Sequence, residues 1–206
     1  MVRDTRYTVY KQEKMVKSSD EDNLCVTFGI QACAWSCPNA GKCREFCYAR
    51  KARFNCRTVK TKRTDALRLT QNLPLFETIM VGEISSYLFE DDRQLWYRIH
   101  DSGDFYDLPY ARAWFAIIRQ FPQVRFYAYT KMVSMFESVK EEIPENLYIV
   151  YSLDGREDHL IPEDAPHARV FPRGTTSEQM AEEGYLDCSD NDRLVFETKR
   201  IGLEHH

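Results

Sequence analysis

Cysteine is the residue type that this sequence concentrates. Cys33, Cys37, Cys43 and Cys47 fall within CAWSCPNAGKCREFC, fifteen residues of a 206-residue chain that holds only three other cysteines. Thiolates are ligands for soft metals, and their spacing, C-x3-C-x5-C-x3-C, bears on which metal. Structural zinc sites usually pair their ligands as C-x2-C or C-x4-C, often with a second pair well downstream. No second C-x2-C and no H-x3-H follows here. Several thiolates gathered by one short loop suit an iron–sulfur cluster better than zinc. The expectation is a [4Fe–4S] cluster in a loop over residues 31–56. Cys37, Cys43 and Cys47 flank PNAGK and run into CYA, and they rank first as ligands. Cys33 or Cys56 would complete a four-thiolate set, and Cys188 could be brought close only by the fold. Cys25 lies inside an apolar stretch and reads as core. The number of ligands decides the chemistry. Four thiolates close a cluster, leaving it electron transfer or a structural role. Three leave one iron open to bind water or substrate as a Lewis acid, or to bind S-adenosylmethionine.

The rest of the composition bounds where such chemistry would occur. Hydrophobic residues make up 43% and charged residues 29%, the balance of a globular chain. At this length a core can form without covalent staples. Seven cysteines cannot all pair within one chain, and clustered thiols in a reducing compartment are more often metal ligands than disulfides. No stretch reaches the length of a membrane span, and MVRDTRYTVYKQEK lacks the apolar centre of a signal peptide. A cytoplasmic protein is expected. The net charge of −4 gives no reason to expect a non-specific nucleic-acid binder. The basic segment RKARFNCRTVKTKR (50–63) reads as a solvated helix face. The closing LEHH (203–206) resembles the start of an expression tag and is set aside, leaving a single domain over 1–202.

A positioning framework follows from the periodicity. NLCVTFGI (23–30) reads as a buried strand that runs directly into the cysteine loop. Helices are expected over about 58–72 and 74–89. Then strands alternate with helices: LWYRIH (95–100), YARAWFAIIRQF (110–121), VRFYAYT (124–130), MVSMFESVKEEI (132–143), LYIVYS (147–152) and ARVF (168–171). RLVFETKRIG (193–202) reads as a last strand or hairpin arm. Such alternation implies a mostly parallel sheet, and the fold expected is a single α/β domain forming an open or partial (β/α) barrel. In these folds chemistry sits beyond the carboxyl ends of the strands. Five strand ends here lead into polar groups: the cysteine loop, HDSGDF (100–105), Thr130-Lys131, SLDGR (152–156) and PRG (172–174).

Each rim group has a functional reading and a plain one. His100, Ser102 and Asp104 could supply a base, a ligand-binding carboxylate or a partner to the cluster. Alternatively, Ser102 or Asp104 caps the helix at Tyr110, and His100 is a satisfied buried histidine. Lys131 and Arg156 could neutralise an anionic ligand, as could Arg173, or simply be solvated.

SCPNAGKCREFCYARKARF, RIHDSGDFYDLPYARAWFAIIRQFPQVRFYAYTK and IPENLYIVYSLDGREDHLI, in that order, resemble the phage-encoded gene product 88 proteins over about residues 23–172. That family looks in turn like a shortened relative of the radical S-adenosylmethionine barrel. The resemblance implies a cluster loop after the first strand, and a Gly-Gly-Glu-like segment after the second that holds the cofactor's amino group. Ser102-Gly103-Asp104 stands at that place. Asp104 would receive the ammonium, and Gly103 would let the backbone approach the ligand. The superfamily's C-x3-C-x2-C triplet is absent: Cys33 and Cys37 give the first spacing, but Cys43 comes too late. Two readings result. One is an iron–sulfur enzyme, hydrolytic or radical, with His100, Ser102, Asp104, Lys131 and Arg156 orienting a small-molecule substrate that the sequence does not name. The other is a non-catalytic zinc or closed-cluster module that docks to host protein or nucleic acid.

Overall fold

A computed structural model of the chain describes residues 13–14 and 18–205, with the backbone alone for residues 13, 14, 52 and 53. Most of the N-terminal segment weighed above as a signal peptide lies outside the described residues. Seven parallel strands form the sheet: β2 (Asn23–Phe28), β3 (Gln94–Ile99), β4 (Arg125–Thr130), β5 (Leu147–Ser152), β6 (His167–Phe171), β7 (Leu186–Asp187) and β8 (Arg200–Glu204). Their order is β2-β3-β4-β5-β6-β8-β7, and the short β1 (Glu13–Lys14) pairs antiparallel with β2 at the edge. From β2 to β6 each strand lies beside the next in sequence. Winding in one direction keeps the crossover helices on one face, so the sheet curls into a half-barrel rather than an open doubly wound sheet.

The helices are α1 (Cys43–Phe46), α2 (Arg57–Leu69), α3 (Leu73–Glu90), α4 (Leu108–Ile118), α5 (Val133–Ser138) and α6 (Ser177–Glu182). Local chemistry sets their starts. The Asn72 side chain accepts from Leu75 N at 3.3 Å, and Asp107 accepts from Tyr110 N at 2.9 Å; each helix then carries proline in its first turn. The cap of α4 is therefore Asp107, not Ser102 or Asp104.

Strand alternation divides the interior in two. Leu95, Tyr97, Ile99, Phe126 and Ala128 face the main core with α3 and α4, where Trp114, Phe115, Ile117 and Ile118 are fully buried. Tyr127, Tyr129, Val150, Ala168 and Ile201 point to the other face, into a smaller core completed by Cys188 and Val195. Each large apolar side chain buried this way contributes about 1.5–3 kcal/mol.

The framework departs from the sequence reading in its last third. Residues 193–202 are not one strand: a 3-10 helix (Asp192–Phe196) places Val195 in the smaller core before β8 begins at Arg200. The expected helix over 132–143 stops at Ser138, followed by a single 3-10 turn (Lys140–Glu142). α6 and β7 had no counterpart, although the capping box between Thr176 and Gln179 marks the start of α6. Leu203 and Glu204, set aside as tag-like, lie in β8, where Leu203 pairs with Val170.

Candidate metal centre

The cysteine loop leaves β2 at the carboxyl end of the sheet and is tied to the ends of three further strands. At the base, Ile30 N donates to Ser102 O at 2.9 Å, and Ser102 Oγ returns a bond to Ile30 O at 2.8 Å. Gly103 follows with φ +80°, a conformation glycine adopts without cost, and a Cβ there would overlap the Ile30 side chain. Asp104 N then donates to Ser36 O at 2.9 Å, joining the SGDF turn to the middle of the loop. Further along, Arg156 N donates to Asn39 O at 2.9 Å and Cys43 N to Asp154 O at 3.3 Å. Ala40 and Gly155 form an antiparallel bridge, and a Cβ on Gly41 would stand 2.7 Å from Asp154 O. The loop lies against backbone on that side, which is why PNAGK carries a glycine.

Within the loop, Ser36 organises two cysteines. Its hydroxyl donates to Gln31 O at 2.6 Å, accepts from Cys33 N at 3.0 Å, and stands 3.5 Å from Cys33 Sγ and 3.9 Å from Cys37 Sγ. The four thiols differ in environment. Burial pushes Cys37 up to about 12, with the Asp104 carboxylate adding to the effect. Burial also raises Cys43, against the pull of the Lys131 ammonium. Cys33 is exposed; burial pulls its thiol up, but the Ser36 hydroxyl and the Ser36 and Trp35 N–H groups outweigh it, and the result lies below the usual thiol value. Cys47 acts electrostatically on both Cys37 and Cys43, and Cys33 acts on Cys37. Among the described residues, no three His, Cys, Asp or Glu side chains converge closely enough to ligate one ion. The thiolates of a multi-iron cluster bind separate irons and stand further apart than the ligands of one ion.

The other cysteines lie apart from this group. Cys25 is buried in β2 and donates to Ser18 O at 2.9 Å, while Cys188 packs in the smaller core. Cys56 is exposed at the start of α2.

The remaining sequence-selected residues converge on the rim, but most are already committed to internal partners. Asp104 is buried, and its carboxylate accepts from Phe105 N and Thr130 Oγ1, both at 2.7 Å, and from Lys131 N at 2.9 Å. Burial lifts it to about 6 against the pull of these donors. Lys131 Nζ donates to Ser152 O at 2.9 Å, Ser152 Oγ at 2.8 Å and Leu153 O at 2.5 Å, which fixes β4 to β5 at the rim. His100 is buried among Phe28, Phe105, Tyr110 and Trp114, with Nε2 paired to Tyr110 Oη at 2.7 Å. Burial, with the Arg63 and Arg98 cations, drives it down to about 3, so it is neutral at physiological pH. It is a buried histidine with one nitrogen paired: Nδ1 is buried and has no hydrogen-bond partner among the described residues. Arg156 is exposed, and its side chain has no partner among the described residues. Arg173 is also exposed, beyond β6.

Sequence reasoning passed over the ion pair that closes the base of the loop. Arg63 on α2 and Asp101 after β3, both largely buried, form a salt bridge, and Arg63 O accepts from Gln31 N at 2.9 Å. A Cβ on Gly29 would overlap both partners, so the glycine before the loop marked the close approach.

Fold and rim together define a singly wound parallel α/β half-barrel that carries a four-cysteine loop at the carboxyl ends of its strands. A sequence profile described as Gene product 88 matches residues 4–205. The chain belongs to the gene product 88 family. Among its relatives, the Gene 88 protein of Mycobacterium phage L5 is 30% identical over 126 residues, covering 58% of this chain and 53% of the relative. The Gene 88 protein of Mycobacterium phage D29 is 29% identical over 126 residues, covering 58% of this chain and 52% of the relative. The chain thus aligns with about half the length of these relatives. No solved structure matches the chain. No helix among the described residues is long and apolar enough to cross a membrane.

Proposed function

We propose that this phage-family protein is an iron–sulfur protein of the host cytoplasm, with a [4Fe–4S] cluster held on the rim by Cys37, Cys43 and Cys47. Cys33 is the fourth sulfur and the exchangeable one. One observation carries the reading: four thiols in fifteen residues sit on a loop that is hydrogen-bonded to strand ends at Ser102–Asp104 and Asp154–Arg156. The donor set is thiol only, with Ser36 Oγ placed between two sulfurs, and it suits iron–sulfur chemistry. All seven cysteines are free, as a reducing compartment requires.

When bound, such a group supplies either electron transfer or, at an iron not closed by cysteine, Lewis-acid or S-adenosylmethionine chemistry. Asp104, Ser102 and Lys131 act in this reading as positioning residues. Their polar atoms bond the loop base and strand ends to one another, and they hold the loop where Cys37 and Cys43 are half-buried. Cys33 lies on the solvent side, so substrate approaches from there, with the exposed Arg156, whose backbone N–H is bonded to the loop at Asn39 O, as the cation on the rim. The second reading, a closed non-catalytic module, is favoured by this same commitment of His100, Asp104 and Lys131 to internal bonds.

Anaerobic purification followed by iron, sulfide and electron paramagnetic resonance measurements tests the proposal. About four irons and four sulfides per chain are expected for the parent. Cys43→Ser should lose them, whereas Cys33→Ser should keep them with an altered resonance. A colourless protein holding one zinc would sink the reading. An unchanged cluster signal on adding S-adenosylmethionine would remove the radical branch. Full closure by Cys33, with no effect of Arg156→Ala on any activity found, would select the closed module.

A further inference from the structure

The charge of this protein is locally segregated, and the total of −4 conceals it. Residues 42–64 carry nine of the 28 lysines and arginines but one of the 32 aspartates and glutamates. This segment is the second half of the cysteine loop together with most of α2 (Arg57–Leu69). Arg63 is spent on Asp101. By contrast Lys42, Arg50, Lys51, Arg57, Lys60 and Lys62 are exposed, and none has an ion-pair partner among the described residues. At the opposite end of the sheet, where β2 and β3 begin, Glu21, Asp22, Glu90, Asp91 and Asp92 line a shallow depression together with Arg93, which is paired to Asp91 at 2.6 Å. The excess of cations is local to this segment; elsewhere the signs mix, with exposed Arg125, Lys199 and Arg200 at strand starts and Asp154, Glu157 and Asp158 on the carboxyl-end rim. The nine-to-one excess of cations over residues 42–64 makes this face locally attractive to a polyanion.

Aromatic surface adjoins the cations. Trp35, in the cysteine loop, is 49% exposed and stacks on Tyr106 with ring centroids 4.2 Å apart. Tyr106 is anchored in turn, its hydroxyl donating to Thr70 O at 3.0 Å just beyond the end of α2. One face of the indole is thus supported, leaving the other for a further ring.

We propose that the face formed by α2 and the second half of the cysteine loop binds single-stranded nucleic acid. The six exposed cations follow its phosphates, and a base stacks on Trp35. Exposed cations along a path, with an aromatic platform at its end, are the two parts that sequence-independent single-strand binding needs. The path leads to the rim that carries the cysteines. The proposal does not depend on what the cysteines hold, because the six cations and Trp35 are not metal ligands.

Fluorescence anisotropy of a labelled oligothymidylate with the anaerobically purified protein tests this, with the salt concentration varied. Affinity should fall steeply with salt; contact with four to six phosphates gives a log–log slope of about −3 to −4. The charge-reversed K60E/K62E, on the exposed side of α2, should bind at least about tenfold more weakly with a shallower slope and an unchanged melting temperature. Trp35→Ala should lose roughly 5- to 100-fold in affinity with the slope retained. Binding without salt dependence, or K60E/K62E binding like the parent, would overturn the proposal. Trp35→Ala binding like the parent would overturn the stacking assignment. Tighter capture by phosphatidylserine vesicles, or by duplex of the same length, would overturn the choice of ligand. Iron content measured on the same samples reports separately on the cluster reading, so either proposal can fail alone.

Discussion

Gly103→Ala isolates the contact on which the placement of the cysteine loop rests. Two costs add at this position. The backbone has φ +80°, and forcing an L side chain into the left-handed region costs about 1–2 kcal/mol. The new Cβ would also overlap Ile30 Cγ1 and stand 3.2 Å from Ile30 O. Ile30 is fully buried and bonded through both its N–H and its carbonyl to Ser102, so it cannot swing aside without moving the loop base. Overpacking of this kind costs typically about 1–3 kcal/mol. The sum, about 2–5 kcal/mol, corresponds to a fall in melting temperature of roughly 5–15 °C in a chain of this size. Gly174→Ala is the control, because Gly174 has φ +85° but nothing within 4 Å of its would-be Cβ. It should show the backbone cost alone, about 1–2 kcal/mol and a fall of roughly 2–6 °C. Thermal melts of the two variants in one buffer, followed by circular dichroism, make the comparison. If Gly103→Ala falls no further than Gly174→Ala, the contact with Ile30 does not seat the loop and the reasoning fails.

Gly82, in the exposed middle of α3, has open space where a Cβ would go, so Gly82→Ala should raise stability by about 0.5–1 kcal/mol in a denaturant titration. In metal-free protein, iodoacetamide should alkylate Cys33 well before Cys37 or Cys188, since the Cys33 thiol is lowered and theirs are each raised to about 12; peptide mass spectrometry reads the order, and early labelling of Cys37 would contradict the burial argument. Asp104 sits at about 6 when folded and about 3.8 when unfolded, so its contribution to stability is complete below about pH 4 and is lost as pH rises through 6, a loss of about 3 kcal/mol. Asp104→Asn should abolish that dependence: measured against the parent, the variant should gain stability between pH 4 and 7, and parallel stability profiles would refute the assignment.

The half-barrel was legible because strands 23–28 through 147–152 alternate with helices, of which α4 carries its apolar residues Trp114, Ile117 and Ile118 at helical spacing. In Phe126–Tyr129 both faces are apolar, and this is the pattern of a parallel strand covered on both sides. The last third was less legible for a physical reason. RLVF in 193–196 has strand-like composition, yet Asn191 caps a 3-10 turn by accepting from Arg193 N at 3.2 Å, and Val195 fills the concave side of the sheet. Tertiary burial, not local propensity, chooses that conformation.

The rim shows where composition misleads about roles. His100, Ser102, Asp104 and Lys131 stand at strand ends as reactive residues do, and their positions were readable from the alternation alone. What the sequence could not convey is saturation. A carboxylate accepting three hydrogen bonds and an ammonium donating three have little left for a substrate. Polar side chains gather at strand ends either to meet a ligand or to satisfy loop backbone that no ladder reaches, and only the bond partners distinguish the two. For Ser102, Asp104 and Lys131 the partners are mostly main chain of the rim itself, namely Phe105 N, Lys131 N, Ile30 O, Ser152 O and Leu153 O, with the Thr130 and Ser152 hydroxyls beside them. Ser102, Asp104 and Lys131, three of the four polar residues that looked like a catalytic ring, are thus largely the frame of the cysteine loop, while His100 bonds Tyr110 in the core. The solvent-facing groups are differently placed: the exposed Cys33 thiol meets only Ser36 and Trp35 of its own loop, and Arg156, Arg57, Lys60 and Lys62 have no ion-pair partner among the described residues. Chemistry or recognition at this rim must therefore proceed from its outer edge inward, with the buried residues holding Cys37 and Cys43 in place.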